Sequence, residues 1–548
     1  MNPLVLILLP LIGGVLSWLA WPDSPLFFLI FFAWVPLLFV EDYFSKKYEA
    51  PSKLRLFPLA YLFFFAWNIL TTWWLWYASE GGAITAIVVN SFLMCIPILL
   101  FHQSKKKFGA RTGYFSLIVF WLSFEHLHMA WELAWPWLNL GNVFAYYPAF
   151  VQWYAYTGSS GGTLWVLLFN ILLFTEAKKW ANNPPNIQGF GDVVTTFGRL
   201  VGKPVLLLLV PLAISLLLYN AYEEKGEAVE MIVVQPNFDP HTKFQKNKRR
   251  DYMNIFMELS REQLTDSTTY IVWPETAIPH YIHLDKWESY ESIKLIENML
   301  RAYPKVSLVT GASTLHNFKE GEKLSKTARK YRRKEGHYDS FNSALQFGHL
   351  KEKQLYHKSK LVPGAERMPY AYIMKYIERF MVDLGGIGGS LGVQEERAVF
   401  QKNDLKIAPV ICYESVFGEY LTDFIKEGAN FIFIVTNDAW WLNTKGHRHH
   451  LHYASLRAIE TRRSIARSAN TGVSCFIDQR GDIHQATTYG TRLSIKGKIQ
   501  ANEEITFFVR WGDLLSRISL AVAIFLLLNL IVSAFTNNFR MASVKRKV

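Results

Sequence analysis

The sequence predicts a two-part fold: a polytopic α-helical membrane domain of about eight spans carrying a soluble α/β domain. Three observations carry this. Of 548 residues, 51% are hydrophobic and 16% aromatic but only 19% are charged, which is too apolar for an ordinary soluble chain. Long apolar blocks crowd the first part and return once near the end. Between them, from residue 230 to 508, the texture changes to short apolar runs separated by polar, helix-compatible stretches.

The apolar blocks run 4–21, 26–40, 56–77, 83–101, 114–130, 151–174 and 205–219, with a last one at 518–535. Each approaches the roughly 20 residues that a bilayer core requires, the shorter ones with help from aromatic flanks. Block 4–21 lacks the basic leader of a secretory signal and further spans follow at once, so it is expected to remain as a helix. Lys46, Lys47, Lys53 and Arg55 follow the second block, Lys105, Lys106, Lys107 and Arg111 the fourth, and Lys178, Lys179, Arg199 and Lys203 the sixth. Alternate loops carry Asp23, Glu80 and Glu132. That alternation places the N-terminus and the basic loops in the cytoplasm and the soluble part outside; Arg540, Lys545, Arg546 and Lys547 return the tail to the cytoplasm. The domains expected are 1–225, 226–510 and 511–548.

Glu125, His126 and His128 fall in the fifth block, where polar side chains must face protein, water or a headgroup. "PWLNLG" at 136–141 and "TGSSGG" from Thr157 are expected to interrupt helix at the outer face, where a substrate arriving from lipid would need an opening. The net charge of +13 comes with no nucleic-acid motif, which leaves anionic lipid as its partner.

In the soluble part "MIVVQPNF", "TYIVWPETAIP", "KVSLVTGAS", "SFNSALQF", "LKIAPVICYES" and "NFIFIVTNDAW" read as strands. "RRDYMNIFMELSREQL" and "ESIKLIENMLRAY" have helical spacing. Chemistry in such sheets gathers beyond the carboxyl ends of strands. Those ends carry Glu275, Cys412 and Asn437-Asp438, and Lys358 stands in "YHKSKLVPGAE". A free cysteine after an apolar run is most often an inert small hydrophobe, so catalysis needs partners. Glu275 as base and Lys358 as the cation for a tetrahedral oxyanion would make Cys412 an acyl carrier. A nearby ammonium would also favour its thiolate. The three cysteines show no metal-ligand spacing and no disulfide framework, and Cys412 and the strand residue Cys475 are expected to stay reduced.

"WPETAIP", the Y-x-K-x-x-L-V-P-x-x-E pattern of 356–366, "CYES" and "NDAW" followed by "LRAIETRRSIARSANTG" resemble the nitrilase (carbon–nitrogen hydrolase) superfamily. With spans on both sides and "PWLNLG", the whole chain resembles that superfamily's membrane-embedded apolipoprotein N-acyltransferases. The resemblance implies an α-β-β-α sandwich in a bacterial inner-membrane enzyme, with the sandwich in the periplasm. It implies ping-pong transfer of an acyl chain from a phospholipid, typically phosphatidylethanolamine, through a cysteine thioester to the α-amine of a lipoprotein's diacylglyceryl-cysteine. It implies neither metal nor cofactor, and the chain is expected to act as a monomer. The motifs assign Glu275, Lys358 and Cys412 to the triad, Glu366 to a second active-site carboxylate, and Tyr413, Glu414, Asn342 and Trp273 to supporting positions. Where the family reads V-P-F-G-E this chain has Gly364-Ala365 before Glu366, and N-D-A-W-F-G becomes a segment ending Trp441-Leu442, losing a glycine suited to positive φ. A common Gln-His pair is here His449-His450.

"GHRHHLH" at 446–452 is expected to be a polar loop near the site rather than a metal centre, and the basic stretch 323–334 to meet lipid headgroups or solvent. Two other functions keep the same scaffold: a membrane-tethered amidase that resolves the thioester with water, and a non-catalytic lipid or lipoprotein receptor, which would not need all three triad members.

Overall fold

Apolar length fixes the first layer of the architecture. In the computed structural model, which describes residues 1–47, 52–182, 190–332, 335–350, 352–370 and 390–545, six helices are long and apolar enough to cross a membrane: Phe27–Lys47, Lys53–Tyr77, Glu80–Phe108, Ser159–Asn182, Gly202–Ala221 and Leu514–Ser533. The first block forms the shorter helix Pro3–Leu19, and the fifth the 21-residue helix Ala110–Ala130. All eight apolar blocks are thus helical, and six meet the requirements of a span. The sixth begins later than expected, because Pro148–Phe150 and Tyr154–Thr157 are single turns and Gly158 breaks the chain at φ 63. Ser159 to Gly162 then form the first turn of the helix, so only Gly158 of "TGSSGG" interrupts it.

The buried carboxylates of this layer are paired, as an apolar surround demands. Glu41 holds His102 at 2.7 Å and Lys105 at 2.5 Å, while Asp42 takes Lys105 and Lys178, tying three helices together. Glu125 accepts from Trp121, Thr163 and the Leu140 N–H at 2.7–2.9 Å. It thereby anchors "PWLNLG", which folds as the short turns Pro136–Leu138 and Leu140–Phe144. A Cβ at Gly141 would fall 1.8 Å from the Ser159 carbonyl oxygen, so this close approach needs glycine. Of Arg540, Lys545, Arg546 and Lys547, the last two lie outside the described residues.

The soluble part is two sheets face to face. The first contains β1 (Glu227–Gln235), β2 (Thr268–Val272), β3 (Tyr281–His283), β4 (Ser307–Asn317), β5 (Arg329–Lys330), β6 (His337–Phe347), β7 (Gln354–His357) and β14 (Leu493–Ala501), in the order β14-β1-β2-β4-β6-β5, with β3 on β4 and β7 on β6. The second runs β13-β12-β11-β10-β9-β8, from β8 (Phe400–Lys402), β9 (Leu405–Ile411), β10 (Phe431–Thr436), β11 (Ser464–Ala469), β12 (Cys475–Ile477) and β13 (Ile483–His484). β1, β2 and β4 are parallel, as are β9, β10 and β11. Alternation along β1 sends Met231 and Val233 into the core shared with Phe431 and Phe433, and Ile232 and Val234 out toward helices Arg249–Glu262 and Glu291–Ala302. Helices Gly418–Lys426 and Lys445–Thr461 cover the second sheet. The result is the expected α-β-β-α sandwich.

One expectation is corrected here: "GHRHHLH" is not a loop but the first two turns of Lys445–Thr461, capped by the Thr444 hydroxyl. Its histidines are mostly buried, which a reading of polarity alone misses. In the basic stretch, Arg329 and Lys330 pair with β6, and residues 333 and 334 lie outside the described residues.

The sandwich is docked on the membrane layer by polar contacts. Tyr413 donates to the Ala134 carbonyl (3.0 Å), Tyr453 to the Trp137 carbonyl (2.7 Å), and Arg462 to Gln152 (2.7 Å). Asp23 pairs with Arg448 at 2.8 Å.

Candidate active site

β9 ends at Ile411, and the chain then turns through Cys412 at φ 49 into the 3-10 turn Cys412–Val416. A non-glycine residue in that left-handed region carries strain, which is held only where neighbours over-determine it. Here they do. Glu414, fully buried, accepts from the Ile411 N–H (2.9 Å), from Tyr356 and Tyr420 (2.7 Å each) and from the Ser359 N–H (2.7 Å). It therefore locks the cysteine turn to the segment that carries Lys358. On the other side a ring nitrogen of His450 lies 3.1 Å from the Cys412 carbonyl oxygen, and its second nitrogen lies 2.9 Å from Asp438, which Arg467 grips at 2.8 Å. Burial works against charge on Asp438, but Arg467 and His450 outweigh it and hold the carboxyl below the usual range.

Glu275 follows β2 on the first sheet. A Cβ at Gly311 would come within 2.6 Å of the Glu275 Cα, so only glycine lets β4 support this turn. Lys358 follows β7, and its backbone N–H donates to the Asn342 carbonyl of β6 (2.8 Å). Its ammonium, 1% exposed, reaches Glu275 Oε1 at 3.3 Å and Glu366 Oε1 at 2.9 Å. The Asn342 amide donates to the same two oxygens, at 2.7 and 2.9 Å. Glu366 is fixed in turn by the Val362 N–H at 2.9 Å.

The two sheets thus bring Glu275, Lys358, Asn342, Glu366 and Cys412 to one edge. Tyr413 lines the adjoining cavity, whereas Glu414 acts from behind the cysteine turn. Trp273 is not brought to this edge. One residue beyond Val272, it alternates outward, donates to Ser260 (2.9 Å) and stacks on Phe256.

The expected thiolate is also corrected. Burial, and then the Glu275 carboxylate, push the Cys412 thiol up despite Lys358. Burial opposes the Lys358 charge too, but Glu366 and Glu275 hold its pKa well above the ordinary lysine value. One ammonium shared by two carboxylates has little positive field left for a thiolate. The resting cysteine is a thiol, and its proton must leave as the sulfur attacks.

Lys243, which the sequence reading missed, is almost fully buried behind Glu275, donating to its carbonyl (3.0 Å) and to the Thr276 hydroxyl (2.8 Å). It lies in the polar segment after β1 but well past the strand end, and nothing in the local sequence separates it from the chain's other lysines. Burial lowers its pKa to about 7, with Glu275 opposing. From about 7 to 10.5 the unfolded chain holds a proton that the folded chain has released, so stability rises with pH across that window. One proton contributes at most about 1.4 kcal/mol per pH unit. A Lys243→Met variant is expected to lose that rise in thermal unfolding followed from neutral to alkaline pH. Equal slopes in variant and wild type would contradict it.

The departures from the family motifs have structural consequences. Gly364 takes φ 81 in the turn that presents Glu366, and Leu442, at the lost glycine, sits at φ 52. Both positions have positive φ, which glycine adopts freely at 364 and leucine adopts with strain at 442.

A cavity of about 310 Å³ opens onto Cys412. Its walls are apolar: Leu75, Ala86, Val89 and Leu93 from the membrane helices, and Val362, Tyr413 and Trp441 from the sandwich. Such a space is apolar along its length from the membrane helices to the thiol, and its lining suits a hydrocarbon group.

Residues 222–503 match the carbon-nitrogen hydrolase family, and residues 13–172 match the apolipoprotein N-acyltransferase N-terminal domain. An apolipoprotein N-acyltransferase of Chlorobaculum tepidum is 28% identical over 528 residues, 94% of each chain. That of Geobacter metallireducens is 25% identical over 518 residues, 92% of this chain and 91% of the other. That of Rickettsia typhi is 25% identical over 530 residues, 91% and 93%.

Proposed function

The chain belongs to the carbon-nitrogen hydrolase family, and on that premise we propose that it is a membrane acyltransferase that N-acylates lipoproteins, as its similar relatives are named. The observation that carries this reading is the apolar cavity leading from the membrane helices to Cys412. A water-soluble amide has no use for such a path.

In the first half-reaction Glu275 takes the Cys412 proton as the sulfur attacks an ester carbonyl of a phospholipid, phosphatidylethanolamine being the expected donor. Lys358 donates to the oxyanion, and Asn342 and Glu366 keep it aimed. Collapse breaks the ester C–O bond, the glyceryl oxygen receives the proton from Glu275, and the lysophospholipid leaves a thioester on Cys412. The α-amine of a diacylglyceryl-cysteine then attacks the thioester. Glu275 accepts the amine proton and returns it to the departing sulfur. The basic loops and both termini face the cytoplasm, and the sandwich lies outside the bacterial inner membrane, where the chain works as a monomer.

Intact mass of the detergent-purified chain with added phospholipid tests the reading. We expect an adduct of fatty-acyl mass that neutral hydroxylamine removes and that a diacylglyceryl-cysteinyl peptide discharges into N-acylated peptide. No adduct from phospholipid, or an adduct discharged only by water, would sink it.

A further inference from the structure

A second cavity, of about 440 Å³, lies between the outer loop of the membrane half and the segment that follows Lys358. It shares Ala134, Pro363 and Tyr413 with the apolar cavity, so the two meet beside the residue that follows Cys412. Its wall carries the charged residues Lys360, Arg367 and Arg397 together with Glu132 and Glu395. Arg367 is neutralised by Glu132 at 2.5 Å. The other two cations are not. Arg397 stacks on the Tyr420 ring at 3.9 Å and donates to the Glu395 carbonyl (2.7 Å) and the Ser359 hydroxyl (3.3 Å), and its buried Nε has no acceptor among the described residues. The Lys360 ammonium lies over the Phe417 and Tyr420 rings at 5.1 and 5.9 Å, and no carboxylate among the described residues pairs with it. Burial, then the neighbouring Arg397 charge, lower its pKa. Glu414 and Glu419 act on Lys360 from a distance and oppose that shift, but neither Lys360 nor Arg397 has a carboxylate in ion-pair contact among the described residues, and two such adjacent cations favour an anion in the space they face.

We propose that Lys360 and Arg397 hold the phosphodiester of the donor phospholipid while its acyl chain fills the apolar cavity. The proposal rests on the acyl-transfer reading above. In a glycerophospholipid the phosphate sits only a few bonds from the ester carbonyl. A chain whose carbonyl is at Cys412 therefore places its phosphate in the space that adjoins Tyr413. Charge selects the headgroup class, and the cavity aligns the ester for attack.

Donors that differ only in the phosphate test it. Thioester formation on the full chain in detergent is followed with dipalmitoyl phosphatidylethanolamine, dipalmitoylglycerol and p-nitrophenyl palmitate. Wild type is expected to prefer the phosphodiester over dipalmitoylglycerol by about tenfold or more in kcat/KM. That preference should shrink by about tenfold in Lys360→Gln/Arg397→Gln, through KM rather than kcat, and return largely in Lys360→Arg/Arg397→Lys. Equal use of the two diacyl donors by wild type overturns the proposal, even if the variants do not fold. So does a preference that the double substitution leaves untouched. If inorganic phosphate abolishes the preference, the cations form a site for free anions, and the assignment to lipid is wrong. Failure of all three donors would instead count against the acyl-transfer reading itself.

Discussion

Lys358→Met is expected to remove both stability and activity. The methionine has nearly the reach of lysine, so the change isolates the charge. Without it, Glu275 and Glu366 share the Asn342 amide with no cation between them. Losing one partner of a buried ionic cluster costs about 3–5 kcal/mol, mostly from the uncompensated charge left behind. The rate should fall by about 10³ as well, since the donor to the oxyanion is gone. Adding Glu366→Gln removes one surplus carboxylate and should restore part of the melting temperature but none of the rate. That split separates the structural role from the chemical one. The raised Lys358 pKa sets the pH behaviour. Its contribution is present in full below the ordinary lysine value and is lost only as pH rises through the still higher folded value. Thermal unfolding in detergent and thioester formation by mass are the measurements. A Lys358→Met variant that melts with wild type, or acylates at its rate, would refute the shared-cation account.

Cys412→Ala should abolish transfer, with a loss on the order of 10⁶, while leaving the fold within about 1 kcal/mol of wild type. The small stability effect follows because cysteine and alanine bear the same strain at φ 49, and because the contacts that hold the turn come from Glu414, His450 and the backbone rather than from sulfur. Cys412→Ser should recover little. A hydroxyl is a poorer nucleophile than a thiol, and the surplus negative charge around Lys358 gives an alkoxide no help. Transfer of label from phospholipid to a diacylglyceryl-cysteinyl peptide is the assay. Residual transfer near the wild-type rate in Cys412→Ala would remove this cysteine from the chemistry.

The departures from expectation have a common origin. The family motif "WPE" assigns Trp273 a supporting position, yet it follows inward-facing Val272 and so turns to the outer face, where its ring packs on Phe256. The histidines of 446–452 looked like a loop because polarity usually marks the surface; in the fold the sandwich and the membrane layer together bury them, and His450 braces the cysteine turn. Lys243 was passed over because one lysine in a basic chain gives no signal until the space behind Glu275 is known.

By itself the sequence determined what depends on local pattern. Apolar length marks the membrane helices, alternating short runs mark the strands, strand ends mark Glu275 and Cys412, and the "YHKSKLVPGAE" motif adds Lys358 to one candidate constellation. Only the tertiary structure decided what depends on groups far apart in the chain. It made one ammonium serve two carboxylates, so that the cysteine rests as a thiol. It also set an apolar and a cationic cavity side by side at Tyr413. Charge balance and cavity shape are sums over neighbours from both sheets and the membrane helices, and no single stretch of sequence contains them.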